Sequence, residues 1–369
     1  MNKAFSIYLD IVRFTAACLV YLWHSNQRLL VTDILPFSSY GHSSVIVFFV
    51  LSGFVIAYVT DTKENNFPSY AASRISRIYS VALPTVFLTL ALDAVGRQLY
   101  PELYDYPFDQ FLVRIASSLL LLNEVWFVSI TSFSNVPYWS ICYEMWYYVA
   151  FGLVVFCPRR LGIVLAAGLG LVLGPKVLLL APIWFAGVVL YRWKALARLP
   201  ESVAWLLAVG SVVGIFAYHQ VGVANVVAEQ VKGVIGPRWH VELTFSKYFL
   251  SDYLLGLLVF LNFAAMRVVC KRLSPALLAI ERPVRILAGY TLTLYLLHQP
   301  FILFWASVLR GDPSGHGYWW ATTALATLSV VVVGQLTEHR RGALRRWLEA
   351  WFSQAALIWS TRRPAPTGR

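Results

Sequence analysis

Three ionisable residues in the first apolar segment, Asp10, Arg13 and His24, are the earliest groups in the chain that could carry chemistry. Asp10 and Arg13 are three residues apart, so on a helix they share a face and can neutralise each other. His24 follows Arg13 by eleven residues, and eleven steps of about 100° return to within about 20° of the same face, roughly 16 Å further along the axis. The imidazole is the side chain best suited to general-base chemistry near neutral pH, although a histidine at a helix end is also a common interfacial residue.

A second polar group opens a later apolar block, where Trp139 and Ser140 precede Glu144. We expect Glu144 to lie about two helical turns inside the membrane, at a depth comparable with that of His24. A carboxylate there would orient the imidazole and stabilise its protonated form. The alternative interpretation is a glutamate that caps a helix or pairs two helices.

Two further pairs of polar residues could either belong to a functional site or have a structural role. Arg74 and Arg77 follow the second apolar block and, three residues apart on a helix, could grip a phosphate bidentately. Arginines at this boundary also serve as topology anchors. Tyr295 and His298 lie in the middle of a late apolar block, where a buried histidine either bonds a neighbouring helix or forms the wall of a site.

The composition indicates that membrane-spanning helices position these groups. Of 369 residues, 59% are hydrophobic and 13% are charged, and the mean hydropathy is +0.64. The apolar residues form about eleven blocks, each near the length of about 20 residues that a helix needs to cross hydrocarbon about 30 Å thick. This pattern excludes a secreted disulfide scaffold, a nucleic-acid-binding domain and a porin-type barrel. The blocks run from Phe5 to Trp23, Ser43 to Thr60, Ile78 to Val95, Phe111 to Ile130, Tyr138 to Phe156, Leu161 to Leu173, Val177 to Tyr191, Val203 to His219, Tyr248 to Ala265, Ile286 to Leu309 and Tyr318 to Leu336.

The distribution of the net charge of +12 predicts the topology. If the block 111–130, interrupted by Arg114 and Glu124, only dips into the membrane, the basic connectors fall on one side and both termini are cytoplasmic. We therefore predict an all-α fold, a polytopic transmembrane helical bundle of about ten spanning helices with one extra, partly embedded segment. Residues 1–338 form this domain, and residues 339–369 form a cytoplasmic basic amphipathic helix and a disordered tail. The four cysteines have neither disulfide nor metal-ligand spacing, so no metal site is predicted.

Five short motifs, in order along the chain, resemble those of the membrane-bound acyltransferase-3 family. The first is Leu9-Asp10-Ile11-Val12-Arg13 followed by His24, which is similar to the family's arginine and histidine separated by ten residues in the first helix. The resemblance covers about Tyr8 to Glu338. The other four motifs are Phe48 to Phe54, Arg74 to Tyr79, Trp139 to Tyr148 and Tyr290 to Pro300.

The resemblance implies an enzyme of the bacterial inner membrane that transfers an acyl group, usually acetyl, to a hydroxyl. The donor would be acyl-CoA (acetyl-CoA), as a substrate and not a permanently bound cofactor. The acceptor would be a carbohydrate such as O-antigen, exopolysaccharide or a lipid-linked saccharide. The enzyme would bind it at the surface of the membrane, whose lipid is also a partner. No nucleic-acid partner is implied.

On this reading His24 is the general base, Glu144 holds its imidazole, and Arg13 supplies positive charge along the donor path or at the oxyanion. Arg74 and Arg77 bind the donor phosphates. The residues expected to bind substrate or to support the site are Asp10, Trp139, Ser140, Tyr295 and His298.

Two alternatives stay open at this point. His24 could itself be acylated and relay the group outward, which would suit a donor and an acceptor on opposite sides of the membrane. Intramembrane arginine, histidine and glutamate also mark proton-coupled transporters of small polar solutes.

Overall fold

The chain folds into a bundle of α-helices with one short β-hairpin in its described part. The computed structural model describes residues 1–30, 35–64 and 66–361. The hairpin pairs β1 (Glu124–Val125) with the antiparallel β2 (Val128–Ser129). The helices are α1 (Lys3–Leu29), α2 (Gly41–Thr62), α3 (Phe67–Leu99), α4 (Phe111–Leu119), α5 (Trp139–Phe156), α6 (Arg159–Leu173), α7 (Pro175–Arg192), α8 (Glu201–Gln220), α9 (Val223–Ile235), α10 (Pro237–Glu242), α11 (Phe249–Val269), α12 (Ser274–Ala279), α13 (Glu281–Ala288), α14 (Thr291–Leu309), α15 (His316–Leu336) and α16 (Arg341–Thr361).

Nine helical segments among the described residues are long and apolar enough to cross a membrane. The predicted all-α transmembrane bundle is confirmed, and the chain is an integral membrane protein. The tenth apolar helix of the predicted arrangement, α6, has 15 residues. It is therefore about 22 Å long, short of the hydrocarbon thickness of about 30 Å. The nine segments are Lys3–Leu29, Ser38–Thr62, Phe67–Leu99, Val136–Phe156, Pro175–Arg192, Glu201–Gln220, Thr244–Val269, Thr291–Leu309 and His316–Gln354.

Residues 111–130 form the extra segment and do not cross as a helix. α4 has nine residues, which is about 14 Å of helix, and the chain then turns into the hairpin. Lys176 of α7 forms a buried ion pair with Glu124 at the start of the hairpin. Burial raises the pKa of the Glu124 carboxyl, and the neighbouring Lys176 charge opposes that shift. A buried, paired lysine thus anchors the segment to the bundle.

Two helices are longer than hydropathy predicts. The first predicted span ends at Trp23, but α1 continues to Leu29, so His24 lies inside the helix and not at its end. α3 begins at Phe67, where the Asn66 side chain accepts a backbone N–H of the first turn. Such a cap satisfies a donor that has no partner within the helix, so a helix can begin well before its apolar residues do.

The predicted span Ile286 to Leu309 is wrong at its start, because α14 begins only at Thr291. The Glu338 carboxylate accepts hydrogen bonds from the Thr293 backbone N–H at 3.0 Å and from the Thr293 hydroxyl at 2.9 Å. A carboxylate at a helix N-terminus satisfies free N–H groups and complements the helix dipole. A cap from a distant part of the chain therefore starts a new helix within a continuous apolar block.

Helix α2 packs closely along α7 in the centre of the bundle. Two glycines make this possible, because a Cβ at Gly53 would lie 2.0 Å from the Trp184 carbonyl oxygen and one at Gly187 would lie 2.0 Å from the Val50 carbonyl oxygen. Small residues allow membrane helices to pack backbone against backbone, where dispersion forces are strongest. The contact matters for the site because α2 contributes one of its walls.

A helix, α16, forms in the basic amphipathic segment near the C-terminus and packs against α3. The Ser69 hydroxyl of α3 donates to Glu349 at 3.2 Å, and Arg345 donates to the same hydroxyl at 3.4 Å. Its placement on the inner membrane surface stays a prediction. The predicted disordered tail, 362–369, lies outside the described residues.

We expect Gly53→Ala and Gly187→Ala each to destabilise the protein by about 1–3 kcal/mol, because the added methyl group meets backbone that cannot move aside. Gly210→Ala in α8 is the matched control, since a Cβ there has no atom within 4 Å. The melting temperatures of the three variants and the wild type, measured in the same detergent, test this prediction. Equal melting temperatures for all three variants would contradict the close packing of α2 on α7.

Candidate active site

A cavity of about 280 Å³ brings together polar side chains from α1, α2, α3, α5, α14, the segment that joins α15 to α16, and the start of α16. Its apolar wall comes mainly from α2, through residues such as Phe48 and Phe49. Five charged side chains lie in the lining, and three of them are guanidinium groups. The polar and charged lining residues are Arg13, Ser52, Arg77, Ser140, Glu144, Thr291, Tyr295, Glu338, His339 and Arg341.

The predicted ion pair of α1 is confirmed, with Arg13 Nη2 at 2.8 Å from Asp10 Oδ1. Arg13 also donates to the carbonyl oxygen of Ala288 at 3.3 Å. The other oxygen of Asp10 is bonded by Arg285 of α13, a partner that the sequence did not suggest. Asp10 is therefore a structural residue that orients Arg13, and it does not line the cavity itself. This ion pair directs the same face of α1 towards α13 and α14.

Arg74 and Arg77 do not act as a pair. Arg74 is buried and bonded to the Glu64 carboxylate at 2.6 Å, with its guanidinium beside the rings of Tyr70 and Tyr148. Arg77 lines the cavity, and its guanidinium group makes neither an ion pair nor a hydrogen bond with any described residue. Glu64 engages Arg74, and Arg74 is not among the residues that line the cavity. That both arginines bind a ligand stays a prediction, and Arg77 is the one of the two that faces the cavity.

Glu144 lines the cavity but does not orient His24 as predicted. Its Oε1 accepts from the Ser52 hydroxyl at 2.6 Å and from the Tyr148 hydroxyl. Trp184 donates to Ser52 at 3.2 Å and extends this network into α7. The reason for the difference is local, since Tyr148 is one helical turn after Glu144 and Ser52 faces both from α2. Glu144 is a fixed anion in the wall of the cavity.

His24 lies outside the cavity lining, next to a second histidine. The ring centroids of His24 and His298 are 5.1 Å apart, so α1 and α14 bring the two imidazoles together. Tyr295, one turn before His298, lines the cavity and shares a hydrogen bond of 2.6 Å with the Ser140 hydroxyl. The rings of Tyr295 and His298 lie 6.3 Å apart, so Tyr295 connects the cavity lining to the histidine pair.

Trp139 has a packing role. It is buried, and its ring stacks on Phe245 with centroids 4.5 Å apart and an interplanar angle of 1°. It also packs edge-on against Phe49 and Tyr143. Trp139 is not among the lining residues, so it supports the cavity wall and does not contact the cavity.

Sequence reasoning missed two charged lining residues, Glu338 and Arg341. Glu338 caps α14, and Arg341 opens α16 and makes no ion pair with a described residue. The amphipathic pattern of the C-terminal segment gave no sign that its first turn reaches a site in the bundle. Two unpaired guanidinium groups, those of Arg77 and Arg341, therefore face the same space as Arg13.

The arrangement suits a ligand that is both anionic and apolar in parts. Guanidinium groups bind phosphate oxygens through charge-assisted hydrogen bonds, and their positive charge can also stabilise an oxyanion. The apolar α2 wall can accommodate a flexible, less polar arm. The neighbouring imidazoles can accept a proton from a hydroxyl. These are the requirements of acyl transfer from an anionic carrier.

Comparison with known proteins identifies one family. The family model described as an acyltransferase domain matches residues 6–337, nearly the whole chain. No curated protein and no solved structure matches the chain. The match supports the acyltransferase interpretation over the transporter alternative.

Arg74 is in a buried ion pair and Arg77 is not, so we expect the loss of each arginine to affect stability differently. Arg74→Ala leaves Glu64 buried without its partner and should cost about 3–5 kcal/mol. Arg77→Ala removes no side-chain hydrogen bond or ion pair with a described residue and should change stability by about 1 kcal/mol or less. Thermal unfolding of both purified variants beside the wild type is the measurement. Equal losses would mean that Arg77 has a structural partner.

Proposed function

The chain belongs to the acyltransferase family whose domain model matches residues 6–337, and from this we propose that it transfers an acyl group, acetyl in the first instance, from acyl-CoA to a hydroxyl of a carbohydrate acceptor. O-antigen, exopolysaccharide and lipid-linked saccharide are the acceptors that fit an enzyme of the bacterial inner membrane. The hydroxyl oxygen attacks the thioester carbonyl, the carbon–sulfur bond breaks, and CoA leaves as the thiol.

The cluster of Arg13, Arg77 and Arg341 around one cavity is the observation that carries the proposal. CoA presents several phosphate groups, and three guanidinium groups facing one space match that charge. In our proposal Arg77 and Arg341 hold the phosphates. Arg13 Nε is buried without a hydrogen-bond partner among the described residues, so Arg13 keeps a donor and a positive charge for the anionic donor on its path towards His24.

His24 acts as the general base in this scheme. Its imidazole makes no hydrogen bond with a described residue, so a ring nitrogen is available for the acceptor hydroxyl. His24 takes the hydroxyl proton as the carbonyl is attacked and passes it to the departing thiolate. The thioester must pass the Ser140–Tyr295 hydrogen bond to reach it, and we propose that donor binding opens this contact.

The proposed sidedness places the guanidinium groups at the cytoplasmic face, where acyl-CoA is made. Arg340, Arg345 and Arg346 lie in the same terminal region as Arg341, and an excess of basic residues is typical of cytoplasmic connections. Both termini are then cytoplasmic. The histidine pair lies further along α1, nearer to an acceptor that approaches from the opposite face.

We expect Arg77→Ala to raise the KM for acetyl-CoA about tenfold while kcat changes little, because a hydrogen bond to a charged group contributes about 1.5–3 kcal/mol. Arg198→Ala, an exposed arginine outside the cavity, is the matched control. Release of CoA thiol at varied donor concentration gives both constants. If Arg77 contacts a phosphate that 3′-dephospho-CoA lacks, the defect disappears with that donor; an unchanged KM for acetyl-CoA would exclude Arg77 from donor binding.

His24→Ala should abolish transfer of radiolabelled acetyl groups to membrane glycans while the melting temperature stays close to that of the wild type. His240→Ala in α10 controls for the loss of an imidazole elsewhere. Near-wild-type transfer by His24→Ala would remove His24 from the mechanism. Incubating wild-type protein with labelled donor and no acceptor separates the two routes, since only the acyl-histidine route leaves label on the protein.

A further inference from the structure

The hydrogen bonds of His298 determine which of its nitrogens carries the proton. His298 is fully buried, and its Nδ1 lies 2.8 Å from the carbonyl oxygen of Tyr295 and 3.1 Å from that of Leu294. Carbonyl oxygens only accept hydrogen bonds, so Nδ1 must be the donor. In the neutral ring Nε2 is then an acceptor with a free lone pair.

That lone pair is without a partner. Nε2 of His298 is buried and has no hydrogen-bond partner among the described residues. An unsatisfied buried polar atom costs free energy, and such atoms are commonly found where a ligand or a catalytic group completes the bond. The neighbour that could complete it is His24, whose ring centroid is 5.1 Å away.

The described polar and charged residues considered as alternatives each have a partner or a charge that rules out this role. Glu144, the residue expected to orient His24, is bonded to Ser52 and Tyr148. Arg28, the charged residue one turn after His24, is positive and is paired with Asp105 at 3.2 Å. Tyr21, whose ring also lies beside His298, donates its hydroxyl to Thr323 at 3.0 Å. Within the part of the chain that the structure describes, His298 therefore offers a free acceptor next to His24.

We propose that His298 is the positioning residue for His24, and that its bare Nε2 accepts an N–H of the His24 imidazole during catalysis. This inference rests on the proposed function, in which His24 is the general base. The bond selects the tautomer of His24 whose other nitrogen has a lone pair for the acceptor hydroxyl. When His24 takes the hydroxyl proton it becomes an imidazolium that still donates to His298. His298 stays neutral throughout, and the proton leaves from His24 to the thiolate.

Two substitutions separate the two nitrogens of His298. In His298→Asn the amide can still donate near the position of Nδ1, but nothing replaces Nε2. In His298→Gln the longer side chain places an amide oxygen near Nε2 and retains the acceptor. We expect His298→Asn to lower kcat about tenfold to a hundredfold with the KM for acetyl-CoA within about twofold, because loss of an orienting partner misaligns the base. His298→Gln should recover most of the loss.

Tyr21→Phe is the matched control, since it removes only the hydroxyl that bonds Thr323 and keeps the ring beside His298 and both imidazoles. Values of kcat for His298→Asn within twofold of the wild type would overturn the proposal. Equal losses in the Asn and Gln variants would also overturn it, because the acceptor at Nε2 would then be irrelevant.

A second measurement does not depend on activity. The melting temperatures of His24→Ala, His298→Asn and the double variant, measured with saturating acetyl-CoA so that the donor-bound state is populated, form a thermodynamic cycle in which the two small losses should be less than additive, since each removes the same bond. Additive losses would overturn the pairing. If His24→Ala keeps full activity while the cycle shows coupling, the pairing stands and the proposed role of His24 as the base fails.

Discussion

The Asp10 carboxylate, shared between Arg13 of α1 and Arg285 of α13, is the interaction on which the arrangement of the site depends. A lone guanidinium inside an apolar bundle is costly, so Arg13 is held where its counter-charge is. That constraint sets the rotation of α1 about its axis. The same face then presents Arg13 to the cavity and, three helical turns later, His24 to α14.

Paired and unpaired polar groups have different tasks in this bundle. Arg74 with Glu64 and Lys176 with Glu124 are buried pairs that hold α3 and the hairpin segment in place. Breaking such a pair is costly because one charge remains buried alone. Arg77, by contrast, faces the cavity with its donors unused. The paired charges therefore stabilise the fold, while the unpaired guanidinium group of Arg77 is the kind of group that the proposed donor would engage.

The cavity and the histidine pair are adjacent but separate. Ser140 and Tyr295, which share a hydrogen bond, line the cavity together with Arg77 and Arg341. In the proposed mechanism a donor and an acceptor that approach from opposite ends of the bundle would meet once the Ser140–Tyr295 contact opens. Such an arrangement would protect a reactive thioester from water until an acceptor is present.

The sequence alone determined the membrane class, the helical fold, the Asp10–Arg13 pair and the shared face of Arg13 and His24, because these depend on hydropathy and on the fixed geometry of one helix. The family resemblance, carried by ordered motifs, agrees with the domain match. Only the tertiary structure decided which partners meet across helices. Glu144 accepts a hydrogen bond from Ser52, and Arg74 pairs with Glu64. Glu338 caps the N-terminus of α14, and the ring of His298 lies beside that of His24. Several residues from different helices could bond a given buried charge or lone pair. Spacing along one helix does not predict which of them lies close enough to do so.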